Sequence, residues 1–336
     1  MGFKRFFKWI IKAVIACTIA FAMVSGGCLI YYNIPVHYSN SAGATDYKWE
    51  TLKFYSKCTE GFALGRTDSD GFNNTENVNG RRIDILFTGS SHGEAFNVAQ
   101  DKNCVSLLNS MFDGEMFTYN IAVSGHTLYH ICSNLSKALE TYKPSKYVVI
   151  ECQSLELAEN NILAAVDGTL PELESESGGV IGFLQKIPYL RLMYLQISNL
   201  RQAEKPAETV SVISETPDEQ YRAAVKALVE KAKADCEKYN VTPIIIYHPH
   251  FKAEQNGSIK ILHNENYVSL FRNICSEVGV RFVEMTSDFV NGYKKDLMYP
   301  YGYSNTVLGE GHLNTYGHKL IAERLYKTIE DMEAEK

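Results

Sequence analysis

The chain has no two cysteines at CxxC spacing, no internal repeat, no long low-complexity tract and no concentrated basic face. The first absence removes the usual zinc-site pattern. The missing repeat argues against a solenoid. A net charge of -6 does not suit a nucleic-acid surface, so no nucleic-acid partner is expected. The eight cysteines (Cys17, Cys28, Cys58, Cys104, Cys132, Cys152, Cys236 and Cys275) are too sparse in 336 residues for a disulfide framework. An exported protein can still carry one or two bridges. What is present is apolar content of 45%, which excludes wholesale disorder, and a length suited to one large domain or two small ones.

The amino terminus stands apart. Lys4, Arg5, Lys8 and Lys12 precede an apolar run from Ala13 to about Ile34. About 20 such residues cross a bilayer. The basic tail, residues 1–12, should stay cytoplasmic and everything after residue 34 should lie outside, giving a single-pass membrane protein. Tyr31 and Tyr32 sit where an interfacial aromatic belt would be. Two alternatives stay open. Ser25-Gly26-Gly27 supplies small residues for a cleaved signal. Cys28 could be an acylated lipoprotein cysteine, although Ser25 stands where such signals carry an aliphatic residue.

Residues 35–80 are rich in Ser, Asn, Gly, Asp and Thr. They read as a stalk, with a short helix around Trp49 to Ser56 and a loop over residues 73–80. From residue 81 short apolar runs alternate with amphipathic ones. Strands are expected at Ile83–Thr88, Phe117–Val123, Tyr147–Glu151, Pro243–Tyr247 and Arg281–Glu284. Helices are expected at Glu94–Met111, Leu128–Tyr142, Tyr221–Tyr239, Asn266–Val278 and Tyr316–Met332. Continuously apolar strands between helices imply a parallel five-stranded sheet in a three-layer α/β/α sandwich, flavodoxin-like. Residues 158–219 interrupt the rhythm as an insertion, either a lid or a helical decoration.

Four clusters fall at strand ends or helix starts: Gly89-Ser90-Ser91-His92; Asn120-Ile121-Ala122-Val123-Ser124-Gly125-His126-Thr127; Glu151-Cys152-Gln153-Ser154; and Gly309 to His318. Ligands bind at the carboxyl ends of strands in such sheets. Alone, the first cluster is an ordinary helix start with Ser90 or Ser91 as N-cap. Together and in this order, the clusters resemble the blocks of the SGNH/GDSL hydrolase superfamily, over residues 81–336. The most specific piece is His312-Leu313-Asn314-x-x-Gly317-His318 entering a helix.

The resemblance implies that Ser91 is the nucleophile and His312 its general base. It also implies that the backbone N–H groups of Ser91 and Gly125 form an oxyanion hole. Two positions depart from the family. Its acid should stand at residue 309, which is Gly309; Glu310 is the nearest substitute, with a Ser–His dyad or a backbone carbonyl as the alternatives. The third block lacks Gly-x-Asn-Asp, leaving Gln153, or else Ser154, as the side-chain oxyanion donor. His248-Pro249-His250 has no carboxylate or cysteine partner in sequence and reads as structural or substrate-contacting rather than as a metal site. His92 and His126 flank the expected pocket. The aromatic loop Tyr299–Thr306 could stack on a sugar or close over the sheet. No cofactor or metal is expected.

Three functions fit. One is an extracytoplasmic, membrane-tethered serine esterase acting through an acyl-enzyme on an acylated small molecule or carbohydrate. The second passes the acyl group to a cell-envelope polysaccharide. The third is a binding or assembly protein on a degenerate scaffold, motivated by the missing acid at residue 309.

Overall fold

A computed structural model describes residues 3–35, 37–38, 48–49, 51–78, 80–170, 187–204, 216–254, 256 and 258–336. Five parallel strands form the central sheet: β1 (Ile85–Thr88), β2 (Thr118–Asn120), β3 (Tyr147–Cys152), β4 (Thr242–Tyr247) and β5 (Arg281–Glu284). Their order is β2-β1-β3-β4-β5. The direction of winding reverses between β1 and β3, and a crevice opens at their carboxyl ends.

The three central strands are apolar on both faces because both faces are covered. Leu86, Val148, Ile150 and Ile245 pack on one side with helices α4 (Leu128–Tyr142), α7 (Glu219–Lys238) and α8 (Glu265–Val278). Ile85, Phe87, Val149, Ile244 and Ile246 pack on the other with α3 (Cys104–Phe112), α9 (Thr286–Asp296) and α10 (Thr315–Ala334). This is the three-layer arrangement expected from the pattern.

Three expectations need correction. The expected helix over 94–111 is a short α2 (Ser91–Glu94), an irregular segment and then α3. Ala95 turns left-handed at φ 60°, Asn97 bonds the distant Lys57 and Glu60 side chains, and Asn103 caps α3 by accepting from Ser106 N. Polar side chains that bond backbone locally compete with the helix ladder in this way. The strand expected over 117–123 stops at Asn120, whose carboxamide bonds Gly93 O and Ala122 N.

The third correction concerns 35–80. Among the described residues of 49–56 no helix forms. Strands Phe54–Lys57 and Ala63–Arg66 make a hairpin instead, with Tyr55 buried against Phe96. Buried Asp68 accepts from the Phe72 amide and the Tyr119 hydroxyl, which ties the following segment to the sheet. Residues 51–78 of this region thus pack on the folded domain. Its Asn79 lies outside the described residues.

Helix α1 (Phe3–Tyr31) is long and apolar enough to cross a membrane; it stops three residues short of the expected run, where Tyr32–Asn33 form a strand. The insertion contributes α5 (Glu159–Asp167) and α6 (Pro188–Glu204), while its Glu172–Gly179 loop lies outside the described residues. All eight cysteines are free thiols.

Candidate active site

The turn after β1 is built around a carboxylate. Gly89 and Ser90 leave the strand, and Ser90 caps α2 by accepting from the His92 amide at 3.2 Å. Glu151, near the end of β3, reaches across into this turn. Its Oε2 accepts from Ser90 N at 2.7 Å, Ser90 Oγ at 3.0 Å and Gly93 N at 3.2 Å. A Cβ on Gly89 would stand 2.3 Å from that oxygen, so glycine is what lets the carboxylate in. Ser91 is the first residue past this anchored turn, at the switch point of the sheet.

Glu151 is fully buried, yet its charge is matched. His248 Nε2 lies 2.6 Å from Oε1. Tyr301 gives its only hydroxyl proton to Pro249 O at 2.8 Å, so His248 Nδ1 donates to the Tyr301 oxygen. His248 thus ties Glu151 to Tyr301. Burial alone would raise the Glu151 carboxyl, but His248 and the Ser90 amide together hold it below the ordinary carboxylate range. The His248-Pro249-His250 run does find a carboxylate, through the fold rather than through sequence neighbours. Among the described residues no cluster of His, Cys, Asp and Glu is arranged to hold a metal.

His312 is fixed from both sides. Asn314 caps α10, accepting from Tyr316 N and Gly317 N, while its amide donates to Tyr299 O and Gly302 O. The His312 carbonyl accepts from Gly302 N at 3.0 Å. This clamp aims Nε2 at Ser91 Oγ, 2.9 Å away.

The group that orients His312 is Glu60, not Glu310. Glu60 Oε2 lies 2.6 Å from His312 Nδ1, and Oε1 accepts from the His312 amide at 2.7 Å. Asn97 Nδ2 adds a third bond at 2.8 Å. Partial burial pushes the Glu60 carboxyl up, but hydrogen bonding and charge from His312 outweigh that and hold it at about 2. Glu310 is exposed and faces Lys252 at 3.9 Å. The physical reason lies in the neighbouring glycines. Gly311 turns at φ 79°, and a Cβ there would sit 2.4 Å from Glu60 Oε1. The backbone before His312 thus opens a channel for a carboxylate arriving from another segment.

Glu60 is the residue that sequence reasoning missed. It lies 252 positions from His312, so no local spacing could reveal it. The available signal was the pair of short runs around Glu60-Gly61, a hairpin turn with Gly61 at φ 76°.

Of the other expected residues, Gly125 lies two positions past Val123, whose amide bonds Gly89 O at 3.1 Å. This tie brings the second cluster beside the Ser91 turn. Gly125 adopts φ 84°, with open space where a side chain would stand. Gln153 follows β3 with its buried side-chain amide against His92 and Tyr301. His92 is buried, accepts from Leu313 N at 3.2 Å, and stacks at a tilt on His312. Burial first, then the nearby His248 and His312, hold its pKa well below the usual value, so it stays neutral.

No family model and no curated protein matches this sequence. Solved structures do. The psychrotrophic esterase EstA from Pseudoalteromonas sp. is 18% identical, covering 74% of this chain and 98% of that one, at a TM-score of 0.39. An acetyl xylan esterase, AlAXEase, is 12% identical over 74% of this chain and 100% of that one, at 0.44. The lipase/acylhydrolase from Enterococcus faecalis is 11% identical over 75% and 96%, at 0.42. At such distances the functional reading has to come from the site itself.

Proposed function

We propose that this chain is a GDSL-type serine esterase, anchored in the cell membrane by α1 with its catalytic domain outside the cytoplasm. The observation that carries the reading is the line Ser91 Oγ, His312 Nε2, His312 Nδ1, Glu60, with separations of 2.9 and 2.6 Å, at the carboxyl edge of the sheet. Glu60 accepts the Nδ1 proton, which leaves Nε2 as the base facing the serine. Ser91 attacks the ester carbonyl while His312 takes its proton. Glu60 stabilises the imidazolium that forms. The oxyanion is met by the backbone N–H groups of Ser91 and Gly125, and the Gln153 amide is the side-chain donor within the same pocket. His312 then protonates the leaving alcohol, and a water activated by the same base releases the acyl group. A degenerate scaffold is disfavoured because the acid missing at residue 309 is supplied by Glu60.

The test uses the full-length protein in detergent micelles with short aryl esters. Ser91→Ala should lower kcat by at least about 10³-fold, as loss of a triad nucleophile does. Equal rates for the two proteins would overturn the assignment.

A further inference from the structure

The hairpin that carries Glu60 also caps the end of α1. The last carbonyls of a helix lack intrahelical partners. Here Leu29 O accepts from Ser56 Oγ at 2.6 Å, Ile30 O from Cys58 Sγ at 3.6 Å and Tyr31 O from Cys58 N at 2.9 Å. The chain leaving the helix then pairs with the hairpin, Tyr32 opposite Lys57 and Asn33 opposite Ser56. The hairpin is therefore fixed to the helix end rather than tethered by a linker.

Helix length sets the depth. Lys12 is the last charge of α1. The 19 residues from Ala13 to Tyr31 rise about 28 Å at 1.5 Å each, close to the ~30 Å hydrocarbon thickness. With Lys12 at the inner interface, Tyr31 reaches the outer one, and the hairpin bonded to residues 29–31 lies in the headgroup layer.

That hairpin presents apolar side chains to the outside. Phe54 is 69% exposed and Phe62 is 66% exposed, with Leu64 also exposed. The loop over residues 303–311 is laced to the same turn: Asn305 Nδ2 donates to Cys58 O and Gly61 O, and Gly61 N donates to Asn305 Oδ1. This loop exposes Val307 and Leu308. Single exposed apolar residues are ordinary; here five lie on two segments that Asn305 ties together near one helix end. Arg66 lies over the Phe54 ring at 5.1 Å, adding a cation suited to anionic headgroups. Helix α6, whose Arg191 bonds Ile34 O beside the same helix end, exposes Met193, Tyr194 and Ile197.

We infer that this rim seats on the lipid surface, and that Ser91 acts on an ester whose acyl chain stays in the bilayer. The inference rests on the anchor and esterase readings above. It follows from a short path: Tyr31 O to Cys58, two residues to Glu60, then His312 and Ser91. That path keeps the nucleophile within roughly 25 Å of the membrane boundary at full chain extension. A substrate anchored by its tail in the outer leaflet can present its ester to this site on the water side of the headgroups.

The test is lipid quenching in the full-length protein, reconstituted in vesicles of phosphatidylcholine and phosphatidylglycerol. In a Trp9→Phe, Trp49→Phe background, a single reporter is placed by Phe62→Trp, by Leu308→Trp, or by Glu335→Trp as the distant control. The control lies at the far end of α10, about 30 Å from its start. Brominated phosphatidylcholine should quench the reporters at 62 and 308 at least twofold and leave the control unchanged. Equal quenching at all three positions in protein that resists alkaline extraction overturns the surface and spares the anchor. Release by alkaline extraction overturns both. For the substrate, Ser91-dependent kcat/KM for para-nitrophenyl palmitate dissolved in the vesicles should exceed that for the butyrate by about tenfold, from added chain burial. Preference for butyrate overturns the lipid substrate and leaves the esterase standing. Ser91-independent turnover of both overturns the esterase, and quenching alone then decides the surface.

Discussion

Glu60→Gln is the most informative single change, because it removes a charge while keeping the shape. In the resting site Glu60 accepts from His312 Nδ1, from the His312 amide and from Asn97. In the transition state His312 becomes an imidazolium, with its charge centre about 4 Å from the carboxylate. At an effective dielectric of 20 that pair is worth about 4 kcal/mol. Both side chains are less than one-third exposed, so solvent removes only part of this. The loss of about 3–4 kcal/mol corresponds to roughly 10²- to 10³-fold in kcat. A further loss comes from the tautomer. A Gln amide group turned toward Nδ1 would force the proton onto Nε2, where it blocks acceptance from Ser91. The assay is steady-state hydrolysis of a short aryl ester by full-length protein, with circular dichroism to confirm folding. The expected result is a kcat drop of about 10³-fold with KM little changed. A folded Glu60→Gln protein within threefold of wild type, or an equal loss in Glu310→Gln, would refute the triad described above.

Three further outcomes are expected. Glu151→Gln removes the buried carboxylate that meets His248 Nε2 at 2.6 Å and accepts from the Ser90 and Gly93 amides, and should cost about 3–5 kcal/mol in chemical denaturation, whereas a cost below about 1 kcal/mol would mean that the carboxylate contributes little to the fold. Gly89→Ala drives a methyl into Glu151 Oε2 at 2.3 Å and should destabilise the Ser91 turn by about 1–3 kcal/mol, read as a lowered denaturation midpoint together with lower kcat. Acid stability should fall through His318, which burial holds near a pKa of about 3 while it accepts from the Cys104 amide. The unfolded chain takes up this proton at about 6.5 and the folded one does not. Stability is therefore full above pH ~6.5 and falls by about 1.4 kcal/mol per unit down to pH ~3. Urea midpoints across that range should flatten in His318→Gln; an unchanged slope would assign the acid sensitivity to other groups.

Local periodicity determined much of this molecule. The helix Leu128–Tyr142 and the strand Arg281–Glu284 stand where the pattern placed them, and the strands that are apolar throughout are those buried on both faces. Ser91, Gly125 and His312 stood out because each sits in a short polar run at a strand end or helix start, and the fold brings Ser91 and His312 together. The irregular segment after α2 was not legible. Its course depends on Asn97 bridging Lys57 and Glu60, partners that only the fold brings near. Glu60 and the Glu151–His248 pair were hidden for the same reason. Hydrophobic period and turn chemistry act over a few residues, so they settle which elements form. A carboxylate that meets its histidine from 252 residues away is placed by the packing of a hairpin against the helix end and the sheet edge. The sequence alone singled out Ser91 and His312; only the tertiary structure brought Glu60 to His312, because that contact exists solely between distant parts of the chain.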